Sequence, residues 1–280
     1  MSAVAALLVS APGASSAAPA APTAVPSLRA FGITGDGTLM ATFTTDRPNQ
    51  LDWVREVVGL VGDTRLVGID ARPQNSLLYG LGEKGGVYTV RIPATPTDDV
   101  VVTKVSQLQV ALYGTTFDID FNPAADRLRV ISDRGQNLRH NVNDHTTVTD
   151  GTLNSPPATT AALGVTAAGY TNNDLVGSTA TTLFDIDTYN DQVVIQSPPN
   201  AGNLVATGLL GFDAGLDAGL DVFATVTNGK TTANAAFASL TPYGATNPSL
   251  YSLNVLTGEP TLIGRFPLNI TDLAITISGS

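Results

Sequence analysis

Five positions recur at steps of 50, 50, 51 and 51 residues: Asp70, Asp120, Tyr170, Asp221 and Asp272. Asp70 stands in Gly68-Ile69-Asp70-Ala71-Arg72-Pro73, and Asp120 in Asp118-Ile119-Asp120-Phe121-Asn122-Pro123, each three residues before a proline. Carboxylates repeated once per structural unit can converge on one axis. There they offer hard oxygen donors, and Asp70, Asp120, Asp221 and Asp272 form a candidate site for calcium or sodium. Two of them flanking a bond are also the minimal equipment of a glycoside hydrolase. A third use is purely structural, since aspartate near proline commonly bonds to turn or strand backbone.

A second constellation lies around the Asp120 unit. Arg127, Arg129, Arg134 and Arg139 fall within thirteen residues of a chain with only 14 basic residues. Beside Asp118, Asp120, Asp126 and Asp133 they are expected to form bidentate pairs between neighbouring strands. Arg129 and Arg139, with Gln136 and Asn137, can equally grip a carboxylate or sugar hydroxyls. Asn137, Asn172, Asn173, Gln196 and Asn200 supply amides that suit sugar hydroxyls or turns, and for Asn200, between Pro199 and Gly202, the turn use is expected. The candidate ligand-binding set is therefore Asp118, Asp120, Asn122, Arg129, Gln136, Asn137, Arg139, Tyr170, Asn172 and Asn200. His140 and His145, with Asp144 between them, offer a start for zinc but no third ligand at a known spacing. Asp118-x-Asp120-x-Asn122 lacks the glycine and distal glutamate of a calcium loop, and on a strand the three share a face. No nucleophile elbow or phosphate loop is present. Catalytic residues are not assigned.

The elements that must position these groups are strands. Phe117, Ile119 and Phe121 alternate with Asp118, Asp120 and Asn122, the period of a strand. Asn122-Pro123 ends it, Leu128 to Ile131 returns, Ser132-Asp133-Arg134-Gly135 turns, and Asn137 to Asn141 starts a third strand. The pattern echoes along the chain. Leu77 to Leu81, Gly86 to Val90, Leu183 to Asp187 with Gln192 to Gln196, and Leu250 to Asn254 with Pro260 to Ile263 all read as strands. About four short strands per fifty residues is the spacing of propeller blades. Units start near 66, 116, 166 and 217, and a fifth near 270 stops after one strand, Leu273 to Ile277. Its missing strands are found at the start of the chain: Leu28 to Ile33, Leu39 to Thr44 and Val57 to Val61. The fold class is thus an all-β propeller of five blades, the last closed by the two termini so that no sheet edge stays open. Further strands within 45–68 would make six.

Composition limits the partners. Hydrophobic residues make up 43% of the 280, which suffices for a core, while charged residues are only 14%. The surface is then expected to be neutral and polar, as in secreted, periplasmic or cell-surface proteins. A net charge of −10 disfavours nucleic acid. The absence of cysteine excludes disulfides and thiolate chemistry. Residues 1–27 read as a partial signal peptide or an Ala/Pro-rich leader. Val4 to Val9 is apolar and Ala18-Pro19-Ala20 resembles a cleavage site, though no basic region precedes them. No stretch is long enough for a membrane span. Residues 28–280 form one propeller domain, a monomer by default.

Asp120 to Pro123, Asp126 to Val130 and Gly135 to Arg139 form one block. With Tyr170-Thr171-Asn172, Pro198 to Leu204, and Leu250-Tyr251 followed by Thr257-Gly258, it resembles the bacterial family called domain of unknown function 4394. The resemblance covers about Leu28 to Ile277. It implies a propeller-like, secreted or surface protein and no assigned reaction. Two stretches depart from the family, Thr45 to Val58 and the duplication Asp213 to Asp221, and both are expected to be loops. The functional expectation is a non-catalytic binding or structural module at the cell envelope, holding a cation. Its partner would be a small molecule, a glycan or an envelope protein. The alternatives are a glycan-active hydrolase and a protein-interaction scaffold.

Overall fold

The computed structural model describes residues 25–277. The expected leader falls mostly on residues 1–24, outside the described residues. Among the described residues, regular structure is all β apart from one 3-10 turn at Pro199–Ala201. In chain order the strands are β1 (Arg29–Thr34), β2 (Leu39–Thr44), β3 (Trp53–Val58), β4 (Leu66–Arg72), β5 (Leu77–Gly82), β6 (Gly86–Arg91), β7 (Val100–Gln107), β8 (Phe117–Asn122), β9 (Arg127–Ser132) and β10 (Asn137–Asn141). They continue with β11 (Thr146–Thr149), β12 (Val165–Tyr170), β13 (Leu183–Asp187), β14 (Gln192–Gln196), β15 (Leu204–Leu209), β16 (Ala214–Thr227), β17 (Lys230–Pro242), β18 (Ser249–Leu253), β19 (Pro260–Arg265) and β20 (Ile270–Ile275).

Consecutive strands pair antiparallel in runs of four: β4 to β7, β8 to β11, β12 to β15 and β16 to β19. The remaining run joins the two ends of the chain in the order β20-β1-β2-β3, with Ala30 opposite Ile275 and Ile33 opposite Asp272. A short parallel contact of Val57 and Val58 with Val100 and Val101 fuses this run to β4–β7 along their outer edges. The first strand of each later run and the last strand of the chain lie innermost. β4 packs on β8, β8 on β12, β12 on β16, β16 on β20, and β20 on β4, which closes a propeller-like ring.

Apolar layers between neighbouring sheets hold this ring. Ile69, Met40 and Tyr88 fill one, Ile119, Phe121 and Val130 the next, and Leu220, Val222 and Tyr251 another. Inner strands are buried on both faces, so β8 and β12 show no exposed face at all. Glycine is required where backbones touch. A Cβ on Gly208 would lie 1.7 Å from the Thr257 carbonyl oxygen.

Two sequence expectations are corrected. The 45–58 stretch is not all loop, because Trp53–Val58 pairs with β2 from Leu39↔Glu56 to Thr42↔Trp53. Asp213 to Asp221 is not a loop either. Ala214 onward belongs to the long β16, whose register shift between Ala214 and Ala218 absorbs the glycine-rich duplication.

Candidate functional site

The inner strands do not pair with one another as a sheet, so their facing amides need other acceptors. Aspartates supply them. Asp70 Oδ2 accepts from the Phe121 amide of β8 at 2.7 Å, and Asp118 Oδ2 from the Ala168 amide of β12 at 2.8 Å. Asp221 Oδ2 accepts from Ile275 of β20 at 2.5 Å, and Asp272 Oδ2 from Ile69 of β4 at 2.7 Å. The second oxygen of Asp70, Asp118 and Asp272 takes the amide of the residue that follows, Ala71, Ile119 and Leu273. Four of the five junctions around the axis are thus stapled by a carboxylate. The junction of β12 with β16 lacks one, and there Asn173 Nδ2 donates to the Val222 carbonyl at 3.0 Å.

Three of the four predicted metal candidates converge. Oxygens of Asp70, Asp120 and Asp221 lie within 4.8 Å of one another, and all three residues are buried. Asp120, only 3% exposed, receives no side-chain hydrogen bond among the described residues and is engaged by the backbone amide of Tyr170. Asp272, the fourth, stands toward the end of the axis where the inner strands begin. It lines a cavity of about 40 Å³ with Thr34, Thr115, Thr116, Asp217 and Thr271. Tyr170, the fifth recurrent position, leaves the axis, and its hydroxyl accepts from Arg129 Nε at 3.2 Å. Asp118 takes a place at the axis instead.

Five carboxyls at one axis, paired with no lysine or arginine among the described residues, resist ionisation. Burial pushes Asp70, Asp118 and Asp120 well above the usual carboxylate range, and neighbouring carboxylates push further: Asp221 on Asp70, Asp272 on Asp118, and Asp70 on Asp120. Burial raises Asp221 to about 6 and Asp272 to about 7, against the pull of the amides they accept from.

The arginine cluster is built differently from the sequence expectation. Asp118 and Asp120 pair with no arginine among the described residues. Arg129 Nη1 and Arg139 Nε instead share Asp150 Oδ2, each at 2.6 Å. Asp126 is held by Arg72 of the preceding unit, whose Nε donates to it at 2.7 Å. Arg134 pairs only with adjacent Asp133, at 3.4 Å on an exposed side chain. Arg129, 1% exposed, also donates to Asn137 Oδ1 at 2.7 Å and to Asn200 Oδ1 at 2.9 Å. Asn122, Ala125, Arg127, Arg129, Arg139, Tyr170 and Asn200 surround a cavity of about 80 Å³.

Five of the ten predicted ligand residues therefore meet at one place: Asn122, Arg129, Arg139, Tyr170 and Asn200. The others do not. Gln136 is spent on backbone, accepting from the Tyr113 amide and donating to the Ala111 carbonyl. Asn137 donates to the Gly151 and Pro199 carbonyls. Asn172 pairs with Asn234 at the β12–β17 side of the ring. Asp118 and Asp120 face the axis. Asn200 does sit in a turn, as expected, and also serves Arg129. The partners that sequence reading missed, Arg72 in the Gly68-to-Pro73 motif of the preceding unit and Asp150 just past β11, lie outside the local run of arginines.

His140 and His145 do come together, but not around Asp144, which binds Thr146. Ser106 Oγ lies 2.8 Å from His140 Nε2 and 2.9 Å from His145 Nδ1. Thr147 Oγ1 lies 3.0 Å from His140 Nδ1. Burial, then the neighbouring His145, lowers His140 to about 4, so it is neutral at pH 7. Buried Asp185 on β13 has no hydrogen-bond partner among the described residues, and burial raises it well above the carboxylate range.

A family model described as a domain of unknown function, DUF4394, matches residues 39–274, nearly all of the ring. The chain belongs to the DUF4394 family. The match spans both stretches that look divergent in sequence and all five axial carboxylates. No curated protein matches this DUF4394 chain. Solved structures similar to it include the WD40 domain of Toxoplasma gondii coronin, at 12% identity and a TM-score of 0.41, with 82% of this chain and 55% of that one covered. Myxococcus xanthus glutaminyl cyclase is similar at 11% identity and a TM-score of 0.46, covering 86% and 96%. An auxiliary nutrient binding protein from Bacteroides thetaiotaomicron is similar at 16% identity and a TM-score of 0.40, covering 74% and 55%. The DUF4394 chain thus spans about half the length of the coronin and nutrient-binding chains. No helix among the described residues is long and apolar enough to cross a membrane.

Proposed function

We propose that this DUF4394 protein is a non-catalytic binding and structural module of the cell envelope. In this reading residues 28–280 form one five-bladed propeller whose axis holds a hard cation, with calcium the best match. The single observation that carries the cation reading is the convergence of Asp70, Asp120 and Asp221, buried and with their oxygens within 4.8 Å. Oxygens sharing a calcium at 2.3–2.6 Å sit no more than about 5 Å apart. The closed cycle of five inner strands supports the blade count, and the fusion of two outer edges adds no sixth unit. The low charged content of 14% supports an extracellular or periplasmic setting, and a monomer is the default reading.

The hydrolase alternative needs two carboxyls flanking a bond in an open groove. Here every axial carboxyl is buried, four staple backbone, and the cavity at the strand-start end holds only about 40 Å³. That volume suits water or an ion rather than a sugar ring.

The test is metal analysis of the purified protein, with melting followed in calcium and after chelation. About one calcium per chain and a melting temperature lowered by chelation are expected, because a ligand that binds only the folded state stabilises it. Asp120→Asn should remove the calcium response while the protein stays folded, since the asparagine Oδ1 still accepts from the Tyr170 amide that engages Asp120. A melting temperature indifferent to calcium and to chelator would overturn the cation reading.

A further inference from the structure

The cavity beside Arg129 has a chemistry opposite to that of the axis. Three guanidinium groups, Arg127, Arg129 and Arg139, line about 80 Å³ of space in a protein of net charge −10. One carboxylate, Asp150, is bonded to two of them. Asp126, beside Arg127, is already engaged by Arg72 and Asn143. The cluster therefore carries excess positive charge.

The positions of the donors matter as much as their charge. Arg129 is fixed on four sides by Tyr170, Asn137, Asp150 and Asn200, so its guanidinium is locked at the cavity wall. Arg139 spends Nε on Asp150, and its two terminal nitrogens donate to nothing among the described residues. Arg127 spends Nη1 on the Ala125 and Asp126 carbonyls, which leaves Nη2 and Nε without acceptors. Asn200 and Ala125 are exposed, so the cavity opens to solvent at the seam between the β8–β11 and β12–β15 sheets.

A buried arginine is costly unless its charge is matched, and convergent forks suit planar or tetrahedral oxyanions. A space of this size accommodates a group of a few heavy atoms, not a whole sugar chain. The geometry points to an oxyanion-binding site: a carboxylate or phosphate group enters between Arg127 and Arg139 and rests against Arg129. The site rests on its own residues and is independent of the axial cation.

Isothermal titration calorimetry of the full chain at low ionic strength tests this, with sodium phosphate and sodium acetate as separate probes and sodium chloride as control. One saturable site for at least one oxyanion is expected, and the probe that binds more tightly identifies the group. Arg139→Gln and Arg127→Gln should each weaken binding about tenfold or more, because each removes charge-assisted donors. Asn200→Asp, at an exposed position, should abolish binding by placing a competing carboxylate on Arg129. Circular dichroism would report that each variant keeps its strands. No saturable binding of either oxyanion up to about 10 mM, well above the micromolar scale of ordinary ligands, would overturn the site. So would binding unchanged by the arginine variants and by Asn200→Asp.

Discussion

Burial of carboxyls that no lysine or arginine pairs among the described residues sets the pH response of the chelated protein. Asp221 and Asp272 are raised to about 6 and about 7, from an ordinary value of 3.8. Between roughly pH 4 and 7 the folded state holds protons that the unfolded chain has released. This stabilisation is complete below the ordinary carboxylate value and is lost as pH rises through the folded values. The groups that face these two across the axis are Asp70 on β4 and Asp118 and Asp120 on β8, all raised, so they add to the same trend. His140, lowered to about 4, opposes it, and the lowered carboxyls of Asp36, Asp46, Glu83, Asp126, Asp144 and Asp174 oppose it at the acid end of the range. Chelated protein should therefore melt at progressively lower temperature from pH 4.5 to 7.5. Calcium should flatten the decline, since it replaces protons on the same oxygens, and Asp272→Asn should reduce the slope. A melting curve of chelated protein that rises through neutrality would contradict this account. At this scale Asp70, Asp120 and Asp221 were legible in the sequence because one residue type recurs at a fixed step. Arg72 and Ser106 were not, because each meets its partner across sheets, and Asp150 was not, because it stands just past β11 and no local pattern ties it to Arg129 and Arg139 of its own sheet.

At the scale of elements, one hairpin turn is used repeatedly. Ser76, Asp126, His145 and Gly258 each donate their amide to the carbonyl four residues back, at Arg72, Asn122, Asn141 and Asn254. All four have positive φ, from 52° to 75°. Side chains help at Asn122, Asn141 and Asn254, whose Oδ1 atoms accept amides within the turn. Ser76 has no such role for its own side chain and is exposed. A left-handed serine costs about 1–2 kcal/mol, and glycine recovers most of this after its greater unfolded-state entropy. Ser76→Gly should therefore stabilise by about 0.5–1 kcal/mol, read as a higher urea midpoint with unchanged slope. The Asn-Pro turn signal was readable in advance. The strand at Trp53–Val58 was not, because half-buried residues with Arg55 and Glu56 blur its alternation. The glycine-rich repeat in β16 misled for another reason. Glycine and aspartate usually mark turns, but here an irregular register carries them along the solvent-facing start of the inner strand β16 up to buried Asp221.

For the whole molecule, the fifty-residue step was the strongest signal, since each unit must repeat the same inner strand to share one axis. Closure by the termini followed from counting strands, and the pairing of β1 with β20 matches it. What the sequence did not display was how the inner strands are joined, a circuit of carboxylate staples with one amide substitute. Losing the last strand should undo that circuit. A variant ending at Leu268 removes Asp272 and Ile275, the partners of Ile69 and Asp221, and bares the edge of β1. It should lose cooperative melting and elute as aggregates in size-exclusion chromatography. A sharp-melting monomer would show that the staples are dispensable. The same pairing determines how the ring answers to force. Ala30 lies opposite Ile275 in an antiparallel pair, so the chain leaves β1 and β20 side by side at one end. A pull between those two ends would load one rung of hydrogen bonds at a time and peel the strands apart, where a shearing load would strain every rung at once. Anchored through one end, the ring bears no tension across its seam. Strung between two anchors, it would be the weak link that opens first.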